Sequence, residues 1–186
     1  QLDRAEEKKQ FLAKQSQAQL KETLHLSALS DDNMQSNRYK SIEAIGEYDG
    51  QHQFLIDNQI FDGKPGYLVM TPLLFKGEKR AVLVNRGWIP LNHDRSILPD
   101  ILFNTVAAVV KGRINDFPSV GVKLPGADVP TKNWPAVVQV VNIKILEERL
   151  GYSLFHFQIE LDKNSSEGFK REWLTQKIMP PEQHTA

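Results

Sequence analysis

The 186-residue chain has no cysteine, so it can form neither a disulfide framework nor a metal site built from thiolates. It also lacks an excess of charge of either sign, because 23 Lys and Arg residues balance 23 Asp and Glu residues. That balance differs from the basic surface of nucleic-acid-binding proteins, and we expect no nucleic acid among its partners. The sequence contains no run of about 18 apolar residues of the kind that spans a membrane.

The common catalytic motifs are absent as well. The sequence has no phosphate-binding G-x-x-x-x-G-K, no G-x-S-x-G and no H-E-x-x-H. No two of the five histidines stand two or four residues apart, as local metal ligands often do. His93 and Asp94 are the remaining candidates for the general base and orienting carboxylate of a hydrolase, but adjacent side chains seldom face each other. We therefore predict no metal site and expect that the protein is not an enzyme.

A series of short β-prone runs separated by turn residues makes up most of the chain. Such a pattern favours an α+β fold of mainly antiparallel strands, closed or nearly closed into a barrel-like sheet. The runs predict about seven strands, at residues 39–48, 53–60, 67–75, 80–88, 105–114, 136–141 and 154–161.

Two dipeptides are strong turn signals between neighbouring runs. Asp49-Gly50 predicts a hairpin over residues 38–60, and Lys76-Gly77 predicts a second hairpin over residues 66–88.

A short helix is predicted near residues 143–150, because Ile143, Leu146 and Leu150 recur at helical spacing. Asn142 is expected to cap its start, and Gly151 is expected to end it.

The chain reads as one domain, residues 1–186. Residues 1–23 lack Gly and Pro and predict a mostly polar N-terminal helix, and residues 38–161 predict the β core. Residues 117–135 form a loop with four prolines, and loops of this length are usually functional or mobile. Residues 167–186 form a polar exit segment.

Residues 82–90 combine an apolar strand with unusual polar residues. Arg86 offers a planar fork of donors, and Gly87 allows the backbone to bend or to be approached closely. Trp88 covers a large area, but its N–H needs an acceptor when it is buried. We predict that Trp88 is largely buried and that Arg86 donates to backbone carbonyls or to a carboxylate of another loop.

Several motifs occur in one order along essentially the whole chain, and together they resemble the surfeit-locus (Surf) family of cytochrome c oxidase assembly factors. The most specific part of the resemblance is Asn85-Arg86-Gly87-Trp88 with Pro65-Gly66-Tyr67 upstream. The full set is Gln1-Leu2-x-Arg4 with Glu7-Lys8, Gly63-x-Pro65-Gly66-Tyr67, Thr71-Pro72, Val84-Asn85-Arg86-Gly87-Trp88-Ile89-Pro90, Asn133-Trp134 and Met179-Pro180-Pro181-Glu182-x-His184.

The resemblance implies a place in the cell. Family members are similar in having a membrane helix at each end and a domain between them on the outer face of the inner membrane. That face is the periplasmic side in bacteria and the intermembrane-space side in mitochondria. The chain begins at Gln1 without methionine, as expected for the middle piece of such a protein. Residues 1 and 184 should then lie on one side of the fold.

The resemblance also implies a function: assembly of haem-copper cytochrome c oxidase, with a chaperone-like role in delivering haem a to subunit I or stabilising it there. The implied partners are subunit I and other assembly factors. His184 matches the family's haem contact, and a neutral imidazole is a good axial ligand. Haem a is expected in the full-length protein, whereas no cofactor is expected in this chain without its membrane helices.

A second interpretation is a haem-independent docking module for oxidase subunits or other assembly factors. Its contacts would be the loop at residues 117–135 together with Arg86 and Trp88, since Arg and Trp are frequent interface anchors.

Overall fold

The computed structural model describes residues 26, 29, 31–118 and 124–173. The predicted N-terminal helix, the final part of the exit segment with His184, and the relative positions of residues 1 and 184 lie outside the described residues.

Seven strands and one α-helix occur in the described part of the chain, after two short 3-10 turns at Asp31–Asn33 and Gln35–Asn37. The single short helix and the strand count agree with the sequence prediction, although the sixth strand is shorter than expected. The elements are β1 (Ser41–Tyr48), β2 (Phe54–Phe61), β3 (Lys64–Phe75), β4 (Glu78–Pro90), β5 (Val106–Asn115), β6 (Ala136–Val138), α1 (Ile143–Leu150) and β7 (Ser153–Leu161).

The sheet closes into a five-stranded barrel with a two-stranded extension. Its order is β1-β5-β7-β4-β3-β2-β6, and an additional pairing of β1 with β3 closes the barrel. β2 and β6 continue the sheet outside the barrel. Five of the seven pairings are antiparallel, while β2–β6 and β4–β7 are parallel. The prediction of a mainly antiparallel, barrel-like fold is confirmed.

The predicted hairpin over residues 38–60 is wrong, because β1 and β2 do not pair with each other. β1 pairs with β5 and with the end of β3, whereas β2 pairs with the start of β3 and with β6. The 12-residue β3 is long enough to hold both neighbours on one side in succession. Asp49-Gly50 therefore carries the chain from the barrel to the extension.

The second predicted hairpin, over residues 66–88, is confirmed. β3 and β4 pair antiparallel from Gly66 opposite Pro90 to Phe75 opposite Glu78. Gly77 has a φ of +82° in the turn between them, a conformation that glycine adopts without steric cost.

Pro72 lies where the neighbour of β3 changes. Met70 pairs with Phe54 of β2, and Leu73 pairs with Tyr48 of β1. The Pro72 carbonyl accepts a hydrogen bond from the Asp49 N–H at 2.9 Å. Because the N and O of a strand residue face the same side, the donor that proline lacks would have faced this junction, where the regular ladder is interrupted.

The core has two main parts, separated by β4. Val82 and Val84 point into the barrel, whereas Ala81 and Leu83 point toward α1 and the extension. Both faces of this strand are therefore buried, which explains its continuous apolar run. Other barrel residues are Ile42, Leu73, Val110, Phe157 and Ile159, and the second cluster includes Phe54, Ile56, Met70, Leu146 and Leu154.

Helix α1 ends as predicted and begins differently. Gly151 is left-handed, with a φ of +85°, and its N–H donates to the Glu147 carbonyl at 2.8 Å. Asn142 occupies the N-cap position, but its side chain does not cap the helix. It donates instead to Asp128 Oδ2 at 2.9 Å, so it ties the helix to the preceding loop.

Candidate functional site

Residues 167–171, which follow β7, lie along the end of β4, next to the Asn85-Arg86-Gly87-Trp88 motif. Trp88 N–H donates to the Lys170 carbonyl at 2.8 Å, and Lys170 N–H returns a bond of 3.3 Å to Trp88. Phe169 N–H donates to the Arg86 carbonyl at 2.7 Å. Residues 167–171 are therefore fixed to the barrel by the backbone of β4.

Gly87 permits this close approach. Its φ is +111°, in a region that side chains avoid. A methyl group at Gly87 would lie 2.7 Å from both the Lys170 carbonyl oxygen and Arg171 Cγ. Glycine is thus required both by the backbone angle and by the neighbouring segment.

Trp88 is buried, as predicted, with 4% of its surface exposed. Its Nε1–H donates to the Gln59 carbonyl at 2.9 Å, and its ring stacks on Phe61 with centroids 5.4 Å apart. Gly66 lies directly against it, since a methyl group there would be 2.5 Å from Trp88 Cε2. Gly66 of the Pro65-Gly66-Tyr67 motif therefore leaves the space that the indole occupies.

Arg86 binds a backbone carbonyl of another segment, as predicted. Its Nε and one terminal nitrogen donate to the Glu167 carbonyl at 3.1 and 2.6 Å. The other terminal nitrogen lies 3.3 Å from Gln53 Oε1 and 3.4 Å from Thr71 Oγ1. One side chain thus links β4 to β3, to the segment before β2 and to the segment after β7.

Aromatic rings surround the same guanidinium. Its central carbon lies 5.2 Å from the ring centres of Phe103 and Phe169 and 5.5 Å from that of Tyr48, within the range of cation–π interaction. Burial lowers the pKa of Arg86 from its usual value. An arginine stays protonated despite such a shift, so the group is a partly buried cation.

Gln53 and Thr71 form a buried polar network beneath Arg86. The Gln53 amide donates to the carbonyls of Gly50 and Ile101, both at 2.9 Å, and its Oε1 accepts from Thr71 Oγ1 at 2.7 Å. Both side chains are fully buried. This network was not predicted from the sequence. Gln53 follows the Asp49-Gly50 turn, and polar residues next to turns are usually exposed to solvent, whereas here the fold buries the side chain.

We expect Thr71→Val to lower the free energy of unfolding by about 1–2 kcal/mol, because it leaves Gln53 Oε1 without its shortest donor. Urea denaturation measures the difference. Thr105→Val, at an exposed position, is the matched control and should stay within about 0.5 kcal/mol. Equal effects of the two changes would show that the network does not stabilise the fold.

Asn85 and Tyr67 of the same motifs also hold the fold together. Asn85 donates to Gln158 Oε1 at 3.0 Å and accepts from the Gly87 N–H at 3.1 Å, so it joins β4 to β7. Tyr67 is buried, and burial, followed by the charge of Asp57, raises its pKa. The geometry of both residues is that of structural contacts.

His93 and Asp94 are not arranged as a base and its orienting carboxylate. Asp94 accepts hydrogen bonds from the Ser96 hydroxyl at 2.6 Å and from its N–H at 3.0 Å, and these bonds lower the pKa of the carboxyl. The structure shows no hydrogen bond between His93 and Asp94.

A different histidine meets a carboxylate. His52 Nδ1 lies 2.9 Å from each oxygen of Asp49, and Tyr152 donates to the same carboxylate at 2.9 Å. The three-residue spacing at the turn was the only signal for this pair in the sequence. No group of three or more potential metal ligands occurs in the described part of the chain.

Three of the cavities among the described residues have volumes of about 480, 480 and 350 Å³, and no histidine lines these three. His52 is partly exposed at a turn, and His184 lies outside the described residues.

Comparison with known families decides the identity of the chain. The model of the SURF1 family matches residues 1–186. The chain belongs to the SURF1 family. SURF1 family proteins are membrane-associated assembly factors of cytochrome oxidase rather than known enzymes, and the resemblance seen in the sequence motifs is confirmed.

A search of curated proteins finds no match. Among residues 26, 29, 31–118 and 124–173, no helix has the length and apolar character needed to cross a membrane.

Proposed function

We propose that this SURF1 family protein assists the delivery of haem a to subunit I of a haem-copper cytochrome c oxidase, or its stabilisation there. The observation that supports the proposal is the attachment of residues 167–171 to β4 by Arg86, Gly87 and Trp88. The family motif would therefore fix the position of residues 167–171, which precede His184 in the sequence. A rigid departure point would orient a ligand carried farther along the chain.

In this proposal the haem ligand is His184, and the membrane helices that the family resemblance implies supply the apolar surroundings. The domain would stand on the outer side of the inner membrane, next to subunit I and other assembly factors. The proposal assigns no haem ligand to the described residues, and it is supported by the lack of a histidine in the walls of these three cavities. Their role is to hold the exit segment.

The test is haem absorbance of the purified full-length protein with its membrane helices. We expect His184→Ala to remove most of the bound haem, because it removes the axial imidazole. His93→Ala changes an exposed histidine of the segment between β4 and β5 and is the matched control that should retain haem. Full haem retention by His184→Ala would contradict the proposed ligand.

The alternative, a haem-independent docking module, is favoured by one surface feature. Ile45 of β1 and Val109 of β5 are cross-strand neighbours, and they are 70% and 53% exposed. Arg86 and Trp88, which the sequence suggested as docking contacts, lie partly or fully inside the fold. A full-length protein that binds no haem yet restores oxidase assembly in a deficient strain would support this alternative.

A further inference from the structure

A cavity of about 350 Å³ opens beside Arg86. We infer that it binds a small molecule that carries a carboxylate on an apolar chain, a site separate from the proposed haem function. Its walls are mostly carbon, and the polar groups are few. The lining residues are Tyr48, Arg86, Phe103, Val106, Ala107, Ala108 and Glu167.

Arg86 brings to this cavity a positive charge without an ion-pair partner in the described part of the chain. Within the described residues, no carboxylate lies within 4.0 Å of the Arg86 guanidinium, and its hydrogen-bond acceptors are neutral oxygens. The more distant charges of Glu167 and Arg171 act on the pKa of Arg86 in opposite directions, since Glu167 raises it and Arg171 lowers it. Burying a cation in part without an ion-pair partner costs free energy. An anion bound in the cavity would form an ion pair with Arg86 and offset that cost.

Arg86 and Tyr48 supply hydrogen-bond donors to the cavity. A guanidinium has five N–H groups, and the hydrogen bonds of Arg86 to described residues account for four of them. The Tyr48 hydroxyl is buried and makes no hydrogen bond of regular geometry within the described part of the chain. Burial, followed by the charge of Glu167, raises the pKa of Tyr48, and attraction of the hydroxyl proton to the Glu167 carboxylate adds to the shift, so the O–H stays protonated. Two donors suit the two oxygens of one carboxylate.

Apolar side chains form the rest of the cavity wall. Phe103, Ala107 and Ala108 flank the polar end, and Val106 continues the surface outward with 51% of its area exposed. The volume is at the lower end of the range for small-molecule sites. These walls favour a short aliphatic chain over a compact hydrophilic anion such as acetate.

Glu167 is the one carboxylate that lines the cavity. Its side chain is exposed, and its charge acts on both Arg86 and Tyr48 without an ion pair to Arg86. Its negative charge at the edge of the cavity therefore repels a bound carboxylate. Removing that charge should strengthen binding, a response that a purely apolar site would not show.

Isothermal titration calorimetry of the 186-residue chain with octanoate tests the site. We expect saturable binding of one octanoate, with octanol and acetate each at least about tenfold weaker, because the first lacks the carboxylate and the second lacks the chain. Equal affinity for octanoate and octanol, or no saturable octanoate binding, would overturn the inference.

Two variants locate the binding without disturbing the attachment of residues 167–171. Tyr48→Phe removes only a buried hydroxyl that makes no hydrogen bond of regular geometry to described residues, and it should weaken octanoate binding about tenfold with an unchanged thermal melt. Glu167→Gln should bind octanoate about threefold more tightly. Unchanged affinity in both variants would place any octanoate elsewhere on the protein.

Discussion

Trp88→Ala is expected to lower the free energy of unfolding by about 3–5 kcal/mol, the usual cost of truncating a buried aromatic side chain. The indole is 4% exposed, stacks on Phe61 and covers Gly66. Its removal leaves a cavity between β2, β3 and β4, and also leaves the Gln59 carbonyl without its Nε1 donor. Chemical denaturation followed by circular dichroism measures the change.

Trp88→Phe is the control for this prediction. It retains most of the apolar area but loses the hydrogen bond to Gln59, so a loss of about 1–2 kcal/mol is expected. A Trp88→Ala protein with a melting temperature unchanged within error would mean that the indole is a surface contact, contrary to the burial seen here.

Gly87→Ala is expected to destabilise the domain by about 3 kcal/mol or more and to detach residues 167–171. The backbone angle alone costs about 1–3 kcal/mol for a residue with a side chain. The added methyl group would also lie 2.7 Å from the Lys170 carbonyl oxygen. Amide hydrogen exchange at Trp88 and Phe169 should accelerate, because their N–H groups form the bonds across this contact.

Gly77→Ala is a matched control, because Gly77 also has a positive φ, of +82°, but nothing lies within 4 Å of the added methyl group. It should cost about 1 kcal/mol and leave hydrogen exchange at Phe169 unchanged. If both variants lost the same stability, the contact of Gly87 with residues 167–171 would contribute nothing beyond backbone strain.

Asn85, Gly87 and Trp88 hold neighbouring segments through bonds and contacts that leave little surface for chemistry. Arg86 is the exception, since it also lines a cavity. The motif thus combines an architectural role with one group that is available to a ligand.

Local sequence patterns were sufficient for the strands, for helix α1 and for the importance of residues 82–90. The alternation of apolar and polar residues, the helical spacing of apolar residues and the turn glycines each involve only a few neighbouring residues. They can therefore be recognised in the sequence before the tertiary structure is known. The prediction for Trp88 succeeded for the same reason, because a large indole after an apolar strand has few places other than the interior. The ordered motifs also identified the family, which the match over residues 1–186 confirms.

The tertiary structure alone decided which strands are neighbours and what Arg86 binds. Asp49-Gly50 would turn the chain whether or not β1 and β2 were paired. The two strands stay apart because β3 is long enough to pair with β2 and then with β1. Gln53 and Glu167 reach Arg86 from 33 and 81 residues away. Such contacts depend on closure of the barrel, and no local pattern encodes a pairing between residues so distant in the chain.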